Sequence, residues 1–148
     1  MTNLIQDVVK SAQALKDKYT DQKNTPVNYA CIFCQSADEE KKFLKGAQKL
    51  GKIIKETESG PLFQVDLDTI AGRLRLLKIR KPDPTRPERG DADFTVSDYP
   101  AFKKKYLDQP GFSLILKENF EMLELYKRGE NVRVYFSFPP LDKQLNLI

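Results

Sequence analysis

The apolar positions of the chain follow first a helical spacing and then, for most of its length, the spacing of strands. From Thr2 to Tyr19 they recur every three or four residues, which predicts an amphipathic helix that packs on the rest of the protein. The polar run before Pro26 ends this helix. Short apolar runs with strand character follow, interrupted by two further helical segments. The pattern predicts an α+β protein with an N-terminal amphipathic helix over residues 1–24.

Residues 25–81 form the first of two similar halves. The strand VNYACIFC precedes a helix that opens at a capping box, in which Ser36 and Glu39 satisfy free amides at the helix start. That helix ends at Gly51. Gly60 and Pro61 are predicted to form a turn between later strands. Three strands complete this half: KIIKETES, LFQVDLD and RLRLLKIRK.

Residues 91–140 repeat the same order with different residues. The strand DADFTV precedes a helix that Ser97 or Asp98 can cap, with Pro100 in its first turn. Three strands follow: GFSLILKE, NFEMLELY and NVRVYFSF. We therefore expect two tandem βαβββ modules, joined by a proline-rich crossover over residues 82–90 and followed by a tail over 141–148, all within one globular domain.

Two such modules that pair edge to edge enclose a cleft, with their helices on the outer side of the sheet. Because side chains alternate along a strand, the sequence assigns a cleft face to each half. The candidate ligand-binding residues are Tyr29, Lys78, Arg80, Asp91, Asp93 and Tyr135 on that face, with Arg89 at the cleft mouth. Lys78 and Asp91 are also the candidates for catalysis, since a desolvated lysine beside a carboxylate can act as an acid–base couple.

Asp91 and Asp93 lie two residues apart on one strand face, so two interpretations of them are open. Paired carboxylates can hold a hard divalent cation such as magnesium or calcium. Alternatively, buried carboxylates pair with neighbouring cations, here Lys78, Arg80 or Arg89. Arginines at the cleft mouth can in turn hold a carboxylate or phosphate of a ligand.

The double βαβββ order resembles that of the glyoxalase, or vicinal-oxygen-chelate (VOC), superfamily, and the sequence is most similar to its YecM-type branch. Three stretches carry this resemblance: NYACIFC, RLLKIRKPDP and RGDADFTV. It extends from about Val27 to Pro140. The resemblance implies a glyoxalase-like curved mixed sheet around a ligand cleft.

The resemblance also implies metal positions on the first and last strands of each half, where the superfamily commonly places histidine and glutamate. These positions fall at Tyr29, Lys78 and Asp91, with a fourth near Tyr135 or Ser137. The chain contains no histidine, and a lysine at a glutamate position repels a divalent cation. We therefore expect no cofactor, with a divalent metal at the two aspartates as the alternative.

Charge, apolar runs and cysteine spacing limit the classes of partner, the location and the cysteine chemistry that the sequence favours. The net charge is +4, with 25 basic and 21 acidic residues intermixed, a pattern that does not favour nucleic acid. No apolar run is long enough to span a membrane, and the N-terminus lacks the order of a signal peptide, so a cytoplasmic location is expected. Cys31 and Cys34 lie three apart on a strand and point to opposite faces, which predicts buried thiols rather than a metal or redox pair.

These observations favour a metal-independent protein that binds a small molecule, preferably an anion, in the cleft. One alternative is a VOC-type lyase, isomerase or dioxygenase with an atypical carboxylate metal site. A second alternative is a protein-interaction module or homodimer that uses the N-terminal helix and the tail leucines Leu141, Leu145 and Leu147.

Overall fold

The computed structural model of the chain describes residues 1–146. Its helices are α1 (Thr2–Tyr19), α2 (Ala37–Leu50), α3 (Tyr99–Tyr106) and α4 (Leu141–Gln144). Its strands are β1 (Val27–Phe33), β2 (Lys52–Thr57), β3 (Gly60–Thr69), β4 (Gly72–Arg80), β5 (Gly90–Phe94), β6 (Phe112–Leu116), β7 (Glu121–Leu125) and β8 (Val132–Phe138). No helix among residues 1–146 is long and apolar enough to cross a membrane.

All the strands form one mixed sheet in the order β2-β3-β4-β1-β5-β8-β7-β6. The two modules meet where β1 pairs antiparallel with β5, with Ala30 opposite Ala92. Within each module the first strand pairs parallel with the last, β1 with β4 and β5 with β8. The predicted fold class is confirmed: an α+β protein with two βαβββ modules, a curved mixed sheet and an N-terminal helix.

The main hydrophobic core lies between the helices and one face of this sheet. Strand alternation supplies its floor, since Ala30, Ile32, Leu77, Ala92 and Phe94 all point to the helices and are buried. This helix-covered face is the convex face of the sheet, and the opposite face is the concave face. Side chains at the intervening positions, such as Cys31 and Lys78, therefore belong to the concave face.

Helix α1 packs across the junction of the two modules, against β1, β5 and β8. Its apolar stripe is buried at Ile5, Val8, Val9, Ala12 and Leu15, as the spacing predicts. Because this stripe is covered by the protein's own sheet, the N-terminal helix offers no apolar stripe to a partner. An interaction module would therefore have to use another face of this helix.

Helical spacing places Lys16 away from the apolar stripe of α1, but its side chain is fully buried. Its ammonium lies 5.1 Å from the centroid of the Phe94 ring and donates hydrogen bonds to Asp17 Oδ1 and the carbonyl of Gln22. The helix ends just beyond, where the chain turns back and brings these acceptors to the ammonium. A buried lysine is tolerated here because the turn satisfies its charge.

Local capping signals were predicted correctly at α2 and α3, with one difference in detail. Ser36 accepts a hydrogen bond from the Glu39 amide, whereas the Glu39 carboxylate accepts from the amide of Gln35 rather than of Ser36. Asp98 caps α3 by accepting from the Ala101 amide. The turn predicted at Gly60 lies earlier, because Gly60 pairs with Thr57 and already belongs to β3.

Helix α4 is a short C-terminal helix that packs near β1. Leu141, Gln144 and Leu145 line a cavity together with Tyr29 and Lys78, which places this helix over the concave face. Two of the tail leucines therefore contact the protein itself. The third, Leu147, lies outside the described residues.

Candidate ligand-binding cleft

A row of directly paired residues crosses the concave face of the sheet from β2 to β8. In order it contains Lys55, Leu62, Lys78, Cys31, Asp91 and Arg133. Paired residues of neighbouring strands share a face and lie about 5 Å apart. The register of the sheet therefore concentrates three cations and one carboxyl group in a single line across the cleft.

Lys78 is half-buried on β4, and its Nζ donates a hydrogen bond to Ser59 Oγ at 3.0 Å. Within residues 1–146 no carboxylate forms an ion pair with Lys78 or with Lys55. Burial lowers the pKa of Lys78, and the neighbouring Cys31 and Asp91 partly oppose this. Within the described residues, the ammonium groups of Lys55 and Lys78 therefore have no carboxylate in contact to compensate their charge.

These two lysines open onto a cavity of about 200 Å³ on the concave face. The remaining lining residues are mainly apolar at its walls and polar at the end formed by β1, β5 and β8: Tyr29, Thr57, Leu62, Asp93, Phe120, Met122, Leu141, Gln144, Leu145 and Ser137. Ligand pockets for drug-sized molecules are typically about 300–1,000 Å³. This cavity therefore suits a smaller, metabolite-sized molecule.

Asp93 is buried at the far end of this cavity and is well supplied with donors. Its Oδ1 accepts from Asn28 Nδ2 at 3.0 Å and from the Ser137 amide at 3.1 Å. Its Oδ2 accepts from the Ser137 hydroxyl. Burial raises the pKa of Asp93, while the hydrogen bonds from Ser137 and Asn28 oppose that rise. Asp93 therefore accepts three hydrogen bonds, as an ionised carboxylate does.

Asp91 is different, because its Oδ1 is buried and has no hydrogen-bond partner within the described residues. The residue is 6% exposed. Burial raises the pKa of Asp91 to about 7, and the nearby Asp93 adds to this rise against the influence of Arg86, Arg80 and Lys78. A carboxyl group of this kind is partly protonated at neutral pH.

The prediction that Asp91 and Asp93 form ion pairs with Lys78, Arg80 or Arg89 is wrong. Neither aspartate takes part in an ion pair among residues 1–146. The reason is that each of these cations has another partner: Arg80 pairs with Asp83 and Arg89 with Glu39, while Lys78 donates to Ser59. Strand alternation can place groups on one face but cannot assign their partners.

The proline-rich crossover folds into the cleft and fills one end of it. Arg86 lies over the ring of Phe33, with 5.4 Å from its guanidinium carbon to the ring centroid, and donates to Tyr135 Oη at 3.1 Å. Glu88, which is 2% exposed, pairs with Arg86 at 3.1 Å and with Arg133. The crossover therefore contributes side chains to the site instead of merely linking the modules.

Two further residues complete this ionic cluster, which we define as Arg86, Glu88, Glu124, Arg133 and Tyr135. Tyr135 Oη donates to Glu124 Oε2 at 2.7 Å, and Arg133 Nη1 lies 3.4 Å from the same oxygen. Burial raises the pKa of Tyr135, so its hydroxyl stays protonated. Tyr135 thus serves this cluster and does not line the lysine cavity. The sequence signal for this cluster is the alternation of apolar and polar residues along β7 and β8, which points Glu124 and Arg133 to the concave face.

Glu88→Gln tests how strongly this ionic cluster holds the crossover in place. Removing the charge leaves two half-buried arginines with one carboxylate, Glu124, between them, so we expect a loss of about 2 kcal/mol in the free energy of unfolding, measured by urea denaturation. The exposed Glu130→Gln change is the matched control and should cost less than about 0.5 kcal/mol. Equal stability of both variants would show that the cluster contributes nothing to folding.

The two arginines predicted at the cleft, Arg80 and Arg89, lie in different places. Arg80 remains at the cleft edge, 5.1 Å from the Phe33 ring centroid and 3.2 Å from Asp83 of the crossover. Arg89 instead reaches the helix side and makes a bidentate pair with Glu39 of α2, at 3.0 and 3.2 Å. Its placement in the cleft is wrong because it precedes β5, so strand alternation does not extend to it.

The superfamily's metal positions do not fit a divalent cation in this chain. Among residues 1–146 no three cysteine, aspartate or glutamate side chains come together as a metal-binding group. Lys78 and Arg133 occupy the same row as Asp91 and place positive charge on both sides of it. Asp93 already accepts three hydrogen bonds from protein donors on its two oxygens. The donor set at these positions therefore does not match that of a divalent-cation site.

Both cysteines are free and buried, as predicted. Cys34 belongs to the core beneath the helices, whereas Cys31 lies on the concave face between Lys78 and Asp91. Burial raises the pKa of the Cys31 thiol well above its usual range. Cys31 therefore contributes a neutral thiol to the floor of the cleft.

The fold is similar to that of solved structures of low sequence identity. A structural genomics target described as Protein EC4020 is 12% identical, with a TM-score of 0.65 over 92% of this chain and 88% of its own. A glyoxalase/bleomycin resistance protein/dioxygenase superfamily member from Vibrio splendidus 12B01 is 11% identical, with a TM-score of 0.48 over 76% and 97%. The hypothetical protein BH1468 from Bacillus halodurans C-125 is 14% identical, with a TM-score of 0.46 over 78% and 94%.

No protein-family model and no curated protein matches the sequence. At 12% identity, the likeness to Protein EC4020 shows a shared fold over nearly the whole chain. What the cleft binds must therefore be argued from the residues that line it.

Proposed function

We propose that this protein binds a small anion with an apolar body in the cavity between the concave face and α4, without a metal ion. The single observation that carries the proposal is the position of Lys78. Its ammonium is half-buried at an apolar-walled cavity and has a hydroxyl, Ser59 Oγ, as its protein partner in place of a carboxylate. A bound anion supplies the missing counter-charge.

The surrounding residues support an amphipathic anion over a strongly hydrated one such as sulfate. Leu62 lies between Lys55 and Lys78 in the row, and Phe120 and Met122 form a further wall. An apolar body buried against these side chains adds the hydrophobic contribution that a bare inorganic ion lacks. The YecM-type assignment belongs to the same proposal and is supported by the stretches NYACIFC, RLLKIRKPDP and RGDADFTV. A cytoplasmic location is proposed with it.

Calorimetric titration with heptanoate and with its neutral isostere heptanamide tests this proposal. We expect heptanoate to bind more tightly than heptanamide, and Lys78→Met to weaken heptanoate binding about tenfold or more, since a hydrogen bond to a charged group contributes about 1.5–3 kcal/mol. Lys49→Met on the exposed face of α2 is the matched control and should leave the affinity unchanged.

Metal independence is tested in the same titration. Prior treatment with EDTA should leave heptanoate binding as it was, and elemental analysis should find no stoichiometric metal. Two results contradict the proposal: metal that is present at one equivalent and lost in Asp91→Asn, or heptanoate binding that is the same in Lys78→Met as in the natural protein.

A further inference from the structure

The end of the cavity opposite the lysines has its own chemistry. Asp93, which is 4% exposed, lines the cavity there together with Tyr29 and Ser137. A carboxylate offers about four acceptor positions on its two oxygens. The protein fills three of them, two at Oδ1 and one at Oδ2. Within residues 1–146, one acceptor position at Asp93 Oδ2 is therefore left without a protein donor.

The two polar ends belong to different rows of the sheet. Lys78 pairs with Cys31, whereas Asp93 pairs with Tyr29, two residues away on β1. The apolar lining of the cavity includes Leu62 from the sheet and Leu141 and Leu145 from α4. A molecule lying in the cavity thus meets positive charge at one end and a buried acceptor at the other.

We propose that the ligand is bifunctional, with an anionic group at Lys55 and Lys78 and a hydrogen-bond donor, an amine or hydroxyl, at Asp93. This inference rests on the proposed function, because it takes the lysine end as the anion site. It narrows the ligand class to small amino acids or hydroxy acids with an apolar segment between their two polar groups. A plain fatty acid satisfies one end of the cavity and leaves the other unmatched.

The buried acceptor at Asp93 makes the cavity selective for ligands that carry a hydrogen-bond donor. A ligand that places a methyl group against Asp93 Oδ2 buries the remaining acceptor position without a partner, which costs binding free energy. A ligand that places an N–H or O–H there gains a charge-assisted hydrogen bond in a water-poor site. Discrimination between ligands of the same length and shape follows from that difference.

Three probes of nearly equal length separate these cases: heptanoate, 6-hydroxyhexanoate and 6-aminohexanoate. Their flexible chains adapt to the separation of the two ends. By calorimetric titration we expect both donor-bearing probes to bind the natural protein about tenfold or more tightly than heptanoate. In Asp93→Asn the preference for 6-aminohexanoate over heptanoate should fall to less than about threefold.

Ser137→Ala provides a second variant that keeps the Asp93 carboxylate, and the preference for donor-bearing probes should persist in it. A preference lost in Ser137→Ala but kept in Asp93→Asn would assign the donor to the hydroxyl and overturn the inference. Equal affinity of the natural protein for all three probes would also overturn it while leaving the proposed function intact. Binding of none of the three would remove the proposed function and this inference with it.

Discussion

The change that Asp91→Asn makes in the free energy of unfolding is expected to be more favourable at pH 8 than at pH 4 by about 4 kcal/mol. The cause is the buried, unpartnered carboxyl oxygen of Asp91. Its pKa rises from 3.8 to about 7 in the folded protein, mainly through burial. At about 1.36 kcal/mol for each pH unit, ionising this group in place costs about 4 kcal/mol.

The sign follows from proton binding. Between pH 4 and pH 7 the folded state keeps the Asp91 proton while the unfolded state has released it, so stability falls as pH rises through this window. Well below pH 3.8 the group is neutral in both states and the penalty is absent. Asparagine cannot ionise, so its advantage should appear across this window and reach its full size above pH 7.

Urea denaturation of the natural protein and of Asp91→Asn at pH 4 and pH 8 measures this difference. The exposed Asp108→Asn change is the matched control and should show a pH-dependent difference below about 0.5 kcal/mol. An effect of Asp91→Asn of the same size at both pH values would mean that folding does not raise the pKa of Asp91, and a greater destabilisation at pH 8 would mean that the carboxylate makes native interactions as an ion.

Gly60→Ala is expected to cost about 3 kcal/mol or more, because both the backbone and the space at this position require glycine. Gly60 begins β3 with φ +146°, a conformation that side-chain-bearing residues rarely adopt. A Cβ at this position would lie 2.0 Å from the carbonyl oxygen of Ile79 in β4. Relieving that overlap requires β3 and β4 to separate beside Lys78, so ligand binding should weaken as well.

Gly129→Ala separates the two causes. Gly129 has φ +90°, but a Cβ there would meet no atom within 4 Å. It should therefore cost only the backbone strain of about 1–2 kcal/mol. Thermal and urea denaturation of both variants gives the comparison, and an equal loss in the two would show that the contact with Ile79 relaxes without cost.

Several features of the cleft could be predicted because they depend on neighbouring residues alone. Alternation along β1, β4 and β5 correctly places Tyr29, Lys78 and Asp93 on the concave face. The same period of two places Cys31 and Cys34 on opposite faces. The capping residues Ser36 and Asp98 were recognisable because a helix start needs a side-chain acceptor within a few residues.

The errors arise where a side chain meets a distant segment. Lys16 looks solvent-exposed from helical spacing but is buried over Phe94, because the turn after α1 returns to cover it. Arg89 is expected at the cleft mouth but lies just before β5 and pairs with Glu39 of α2. In both cases a long-range neighbour decides where the side chain lies.

The sequence by itself determined the elements, their repetition as βαβββ and the face to which most strand residues point, since these follow from local backbone geometry. Only the tertiary structure decided which charges are paired. Glu88 meets Arg133 across 45 positions of the chain, which ties the crossover into the cleft, while α4 closes the other end. Such pairings depend on how remote segments pack. Within residues 1–146, that packing leaves Lys78 without a carboxylate partner and Asp91 with a buried oxygen that no donor reaches.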